Sequence, residues 1–193
     1  MRQDIISFLE KEIKARCEGP GNFFGKDSYY HIKAVVKNAT LLAREYGADI
    51  EVVIIAAWLH DIASITSYEL YEEHHIHGAR IAKEILEPME YPLEKIELVQ
   101  KCILNHRGSK LKDKSSVEEI CIADGDAVSH FDNLPSLLYL AYVIRSLSME
   151  EGVQFVRNKL ERSYNKLSIR SKKFYEAKYN EVMRTLNIKK FKW

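Results

Sequence analysis

Cysteine, proline and glycine are all scarce, numbering 3, 4 and 8 among 193 residues. The cysteines (Cys17, Cys102, Cys121) are odd in number, far apart and mostly in apolar surroundings. That excludes a disulfide framework or a thiolate zinc site and fits a reducing cytoplasm. Long apolar runs are missing as well. The longest, Val52 to Leu59, falls far short of the roughly 20 residues needed to cross a bilayer. Met1-Arg2-Gln3-Asp4 leads into an amphipathic stretch and not into an apolar signal core, so no membrane partner is expected. Strand-like alternation, internal repeats and low-complexity tracts are also lacking.

What remains is an ordinary soluble composition, 46% hydrophobic and 30% charged. A chain of this length buries roughly 70% of its unfolded surface and needs no metal merely to fold. The net charge is +1, but Arg157 to Trp193 carries 12 Lys/Arg against 3 Asp/Glu. Such a segment attracts a phosphate-bearing partner or lies against the acidic remainder. Interleaved Leu160, Leu167, Phe174 and Leu186 favour the second reading, a docked amphipathic helix.

Helical periodicity recurs along the chain and predicts helices over 2–17, 28–46, 49–62, 69–87, 92–106, 116–129, 133–146, 149–167 and 169–187. Glycine, proline and asparagine clusters mark the breaks, and Ser28, Asp49 and Ser116 are the expected N-caps. The fold class is all-α: a single-domain helical bundle with a basic C-terminal helical extension. Residues 1–22 form an N-terminal helix and loop, 23–147 the core, and 148–193 C-terminal helices packed on it.

Ionisable side chains on the apolar lines of these helices are the informative feature. His31 precedes Val35 by four residues. His60 follows Val53, Ala56 and Ala57, with Asp61 next. His106 continues the line of Ile96, Val99 and Ile103, and Asp124 lies with Val117, Cys121 and Val128. The line of Gly78, Ile81, Ala82 and Ile85 runs back to His74 or His75. A single inward histidine is usually a hydrogen-bonded core residue, but an inward carboxylate needs an answering cation or donors. Together these imidazoles and carboxylates form a mixed nitrogen–oxygen set that suits a divalent transition metal.

The order His31, then His60-Asp61, then Asp124 resembles the H…HD…D pattern of the HD-domain superfamily of metal-dependent phosphohydrolases. The stretches His74-His75-Ile76-His77-Gly78-Ala79 and Ile103-Leu104-Asn105-His106-Arg107 add to the likeness, which runs from about residue 23 to 130. Ala63 departs from the common pattern, where glycine often follows. So does Asp124-Gly125-Asp126; there Asp124 is preferred because it lies on the apolar line, Asp126 being rotated by roughly 200°.

The resemblance implies an HD-type bundle whose metal ligands are His31, His60, Asp61 and Asp124. Asp61, His74 and His106 would serve catalysis, the two histidines as phosphate-facing groups or ligands of a second ion, with His75 and His77 as alternatives. Arg107, Lys110, Tyr30 and His77 are expected at the substrate, with Lys112 beside Lys110. The ion would be Mn²⁺, Mg²⁺, Ni²⁺, Co²⁺, Fe²⁺ or Zn²⁺, one or two of them. The substrate would be a phosphate ester or anhydride of a small molecule, a nucleotide foremost. A regulatory nucleotide- and metal-binding module without turnover is the main alternative, and a di-iron oxygenase a lesser one. Nucleic acid is disfavoured as a partner, and a homo-oligomer is left open.

Overall fold

The structure is a computed structural model that describes residues 1–107 and 114–186. These residues are helical, with no strand among them. Helix α1 (Gln3–Glu18) buries Ile5, Leu9, Ile13 and Cys17, a four-residue spacing that keeps one face inward. Helix α2 (Ser28–Tyr46) ends at Gly47 in the left-handed conformation, φ 74°. Ser28 is not its cap: Asp27 holds that position without a side-chain bond, and Ser28 Oγ accepts from Asn22 Nδ2 at 3.0 Å.

Helix α3 (Ile50–Leu59) starts on Asp49, whose carboxylate accepts from the backbone of Glu51 and Val52. The helix expected to run to residue 62 stops after Leu59, turns at His60-Asp61 and restarts as α4 (Ile62–Thr66). Neighbouring side chains on an unbroken helix diverge by about 100°; the break lets both members of the doublet face one site. The element expected over 69–87 also divides, into a 3₁₀ turn at Tyr68–Leu70 and α5 (His74–Leu86). Helix α6 (Leu93–Asn105) follows.

Helix α7 (Val117–Asp132) begins on the cap Ser116 and runs three residues past its expected end. Beyond it lie α8 (Leu134–Tyr139), a π turn at Leu140–Ile144, α9 (Met149–Lys166) and α10 (Ile169–Thr185). The first two replace the single helix expected over 133–146. Ser148 and Glu151 close a reciprocal capping box at the start of α9.

Helix α7 is the axis of the bundle, packed against α2, α3, α6, α9 and α10. From Cys121 to Phe131 every one of its residues is buried. Its closest neighbour is α2. A Cβ on Gly125 would stand 2.8 Å from Ala39 Cβ and 2.9 Å from the Ala39 backbone, so only glycine allows this crossing. One apolar cluster joins α1 to α7, and a second joins α7 to the C-terminal helices through Phe131, Val156, Leu160, Leu167 and Leu186. Through these residues α9 and α10 pack against α7, whereas Phe174 is exposed.

Candidate metal centre

Helices α2, α5 and α7, the turn after α3 and the C-terminal end of α6 bring six side chains together: His31, Asp61, His74, His106 and Asp126 line a cavity of about 640 Å³, and His60 is fully buried beside them. His31, His60 and Asp126 form one triad and Asp61, His74 and His106 another; within each, one ligand atom per residue lies within 4.8 Å of the others. Asp61 joins the two. Its Oδ2 faces His60 Nε2 at 3.3 Å and His31 Nε2 at 3.8 Å, while Oδ1 faces His74 Nε2 at 3.5 Å and His106 Nε2 at 3.8 Å.

The backbone fixes how three of these rings point. Nδ1 of His60, His74 and His106 meets the carbonyl three residues earlier (Ala57, Tyr71, Ile103) at 2.8, 2.7 and 2.6 Å. A carbonyl only accepts, so each Nδ1 carries the proton and each neutral ring offers the Nε2 lone pair to the site. His31 directs Nδ1 to Ser129 Oγ at 3.2 Å and Nε2 to Asp126 Oδ1 at 3.4 Å.

Two observations test whether a metal fits. His60 Nε2 is fully buried and has no hydrogen-bond partner. His74 Nε2 and His106 Nε2 oppose one another at 3.3 Å with both Nδ1 protons already committed. An unpaired buried lone pair and two lone pairs pressed together are costly arrangements that a cation relieves. Imidazole nitrogen and carboxylate oxygen are the donors that Mn²⁺, Fe²⁺, Co²⁺, Ni²⁺ and Zn²⁺ accept. The residues fit.

Charge in the site follows from its packing. Burial would push the Asp61 carboxyl up, yet His60, His74 and His106 hold it well below the usual carboxylate range. Burial acts likewise on Asp126, where Lys166 and then His31 keep the carboxyl low. Burial, reinforced by His60, brings the His106 imidazole down to about 3. Burial would also lower His60, but Asp61 outweighs it and raises the ring above its ordinary value.

Asp124 is corrected by the fold. It is fully buried but away from the cavity, accepting from Ser168 N at 3.1 Å and Ser168 Oγ at 2.5 Å at the α9–α10 junction. Because α7 is buried all round, an apolar line does not identify its site-facing side, and Asp126 faces the histidines. Tyr30 is 61% exposed and does not line the cavity, nor does His77. Arg107 stands at the rim and donates to the Glu72 carbonyl. Lys110 and Lys112 lie outside the described residues.

Among the lining residues, Asp126 is weighed in the sequence and set aside for Asp124, while His130, Lys159, Arg162 and Lys166 are not singled out. His130 falls one residue beyond the expected helix end, four after Asp126, so the two share a face. Its ring stacks on His31 with centroids 5.1 Å apart. Lys159, Arg162 and Lys166 recur at three and four residues on α9, a pattern that also describes a solvated face.

The HD-domain family pattern matches residues 28–130, more than half of the chain. An uncharacterized protein of Clostridium beijerinckii is 36% identical over 89 residues, 45% of this chain and 57% of that protein. Ribonuclease Y of Mycoplasma capricolum subsp. capricolum is 29% identical over 131 residues, 66% of this chain but 23% of that protein. The chain thus spans a little over half of the first relative and under a quarter of the second. Among solved structures, Bacillus subtilis YpgQ in complex with ADP superposes with a TM-score of 0.67 at 13% identity, covering 97% of this chain and 98% of that one. A predicted HD superfamily hydrolase from an uncultured Thermotogales bacterium superposes with a TM-score of 0.57 at 20% identity, covering 96% and 91%. These likenesses are of fold. With the ordered histidines and aspartates at the cavity floor and the match over 28–130, the chain belongs to the HD-domain family.

Proposed function

We propose that this protein is a metal-dependent phosphohydrolase acting on a phosphate ester or anhydride of a small molecule, with a nucleotide as substrate. The carrying observation is the convergence of four imidazoles and two carboxylates in two adjoining clusters beside a cavity that also has a cationic wall. His31, His60 and Asp126 would hold one ion, and Asp61, His74 and His106 a second. A divalent ion there supplies Lewis-acid polarisation of a phosphoryl oxygen and a water of lowered pKa.

The chain's own groups do the positioning. Backbone carbonyls lock the three Nδ1–H donors, which keeps the Nε2 atoms aimed at the centre. Asp61 and Asp126 stay ionised at neutral pH. Arg107 at the rim presents a guanidinium to phosphate oxygens. Phe24 and Tyr71 also line the cavity, with centroids 5.1 Å apart, and offer an aromatic surface for a base. YpgQ, a protein of similar fold, is in complex with ADP, which supports a nucleotide as ligand here.

The test is metal analysis followed by product release from nucleotides, sugar phosphates and a short RNA, with Mn²⁺, Ni²⁺, Co²⁺ and Mg²⁺ in turn. Metal-dependent release of phosphate or pyrophosphate from a nucleotide, abolished by Asp61→Asn with helix content unchanged, is the expected result. Metal-dependent nucleotide binding without turnover under any ion would instead identify a regulatory module, and oxygen consumption a di-iron oxygenase. Preferred cleavage of the RNA would move the substrate toward that of Ribonuclease Y.

A further inference from the structure

Two cations on the cavity wall are left unanswered by the protein. Lys159 and Arg162 both line the cavity, yet neither enters a hydrogen bond or ion pair among the described residues. The other two cations of the lining are committed: Lys166 to Asp126 at 2.5 Å, and Arg107 to the Glu72 carbonyl. Arg162 is exposed at the rim, whereas Lys159 is half-buried. Burial, ahead of the opposing attraction of Asp126, pushes the Lys159 ammonium pKa down, as expected of a cation partly removed from water without a partner.

The carboxylates that attract Lys159, Asp126 and Asp61, are those of the metal centre, and an ion bound there would consume their charge. Positions 159, 162 and 166 lie on one face of α9, so this face runs roughly 10 Å along the helix away from Lys166 and the histidine cluster. An anion that starts at the metal centre and extends along α9 would meet both Lys159 and Arg162. Both residues lie beyond the stretch matched by the family pattern, so the feature belongs to this chain's C-terminal helices.

We propose that Lys159 and Arg162 form a subsite for the phosphates of a linked chain that are not under attack, and that the substrate accordingly carries two or more joined phosphoryl groups. A nucleoside di- or triphosphate and an inorganic polyphosphate share this chemistry. Phosphate oxygens accept from Lys159 Nζ and from the Arg162 guanidinium. The assignment rests on the phosphohydrolase reading only for which phosphate reacts; the anion site itself needs no metal.

The experiment is calorimetric titration of metal-stripped full-length protein with orthophosphate, pyrophosphate, tripolyphosphate and ATP. Affinity is expected to rise with the number of linked phosphates. It should fall by about tenfold for tripolyphosphate in Lys159→Gln/Arg162→Gln, as loss of charge-assisted hydrogen bonds implies. Arg162→Gln alone, at an exposed position, gives the same direction should the double variant fold poorly. His60→Gln is expected to abolish Mn²⁺ binding while tripolyphosphate still binds, which separates this subsite from the metal reading. ATP binding more tightly than tripolyphosphate identifies the nucleotide form, and equal binding the inorganic one. Affinity independent of phosphate number, unchanged tripolyphosphate binding in Arg162→Gln, or a short RNA outcompeting tripolyphosphate would each overturn the proposal.

Discussion

Lys166 Nζ lies 2.5 Å from Asp126 Oδ2, while the other oxygen of that carboxylate turns to His31 Nε2 at 3.4 Å. Two residues further on, Ser168 grips Asp124 through its backbone N–H and hydroxyl. One turn of α7 therefore presents a carboxylate to the histidines and, with its opposite side, holds the junction between α9 and α10. The cationic wall is registered to the candidate metal centre through this turn.

Lys166→Met removes the cation that keeps Asp126 low. A depressed carboxyl pKa contributes stability above the ordinary carboxylate value and loses it as pH falls through the folded value. Metal-free Lys166→Met should be less stable than the parent by about 3 kcal/mol at pH 7, as expected for breaking a largely buried pair. The gap should shrink on acidification. Urea unfolding across pH measures it, and a gap that stays constant into strong acid would contradict the assignment.

Asp126→Asn and Asp124→Asn should part company. The first is expected to weaken Mn²⁺ binding by about tenfold or more and, because it also breaks the Lys166 pair, to lower stability as Lys166→Met does. The second places an amide among the Ser168 donors and should cost about 1–3 kcal/mol of stability while Mn²⁺ affinity stays near the parent's. Calorimetry with thermal melts decides the order; the reverse order would return Asp124 to the site.

Gly125→Ala drives a methyl into Ala39 across the α2–α7 crossing. The cost should be about 1–3 kcal/mol from overpacking. Because α2 carries His31 and α7 carries Asp126, Mn²⁺ affinity should fall as well. Unchanged Mn²⁺ affinity in a destabilised variant would show that the crossing distance does not set the site.

His106 provides a pH signature. Its pKa is about 3 in the fold against an ordinary 6.5, so the unfolded chain takes up the proton first. Its contribution is complete above pH 6.5 and declines as pH falls toward 3, by up to about 1.4 kcal/mol per pH unit. Burial gives His130 the same sign. The raised His60 opposes them, its contribution being present below its ordinary value and lost as pH rises through the folded one. Metal-free protein should lose stability from pH 6.5 toward 4, less steeply in His106→Asn. Equal slopes in the two proteins would place the titration elsewhere.

Much of this architecture was legible beforehand. The bounds of α2 follow from its 3.6-residue periodicity and the glycine after Tyr46, and the caps Asp49 and Ser116 from short oxygen side chains ahead of apolar-periodic stretches. Phase and order pointed to His31, His60, Asp61, His106 and either His74 or His75; the fold gathers the first four with His74 into two adjoining clusters. Asp126 was passed over because helical phase identifies an inward side only when a helix has one buried face. The α3–α4 break was also missed, since nothing in Leu59-His60-Asp61-Ile62 breaks a helix by propensity.

Local periodicity and turn chemistry, which act over a few residues, determined that this chain is a bundle of helices with imidazoles and carboxylates among its buried positions. Tertiary packing alone decided which carboxylate meets His31 and which meets Ser168, because α7 is enclosed on every side. It also decided that Lys159 and Arg162 border a cavity, because that depends on where α9 comes to rest. Burial and charge pairing between residues far apart in sequence are properties of the assembled bundle, and no single helix encodes them.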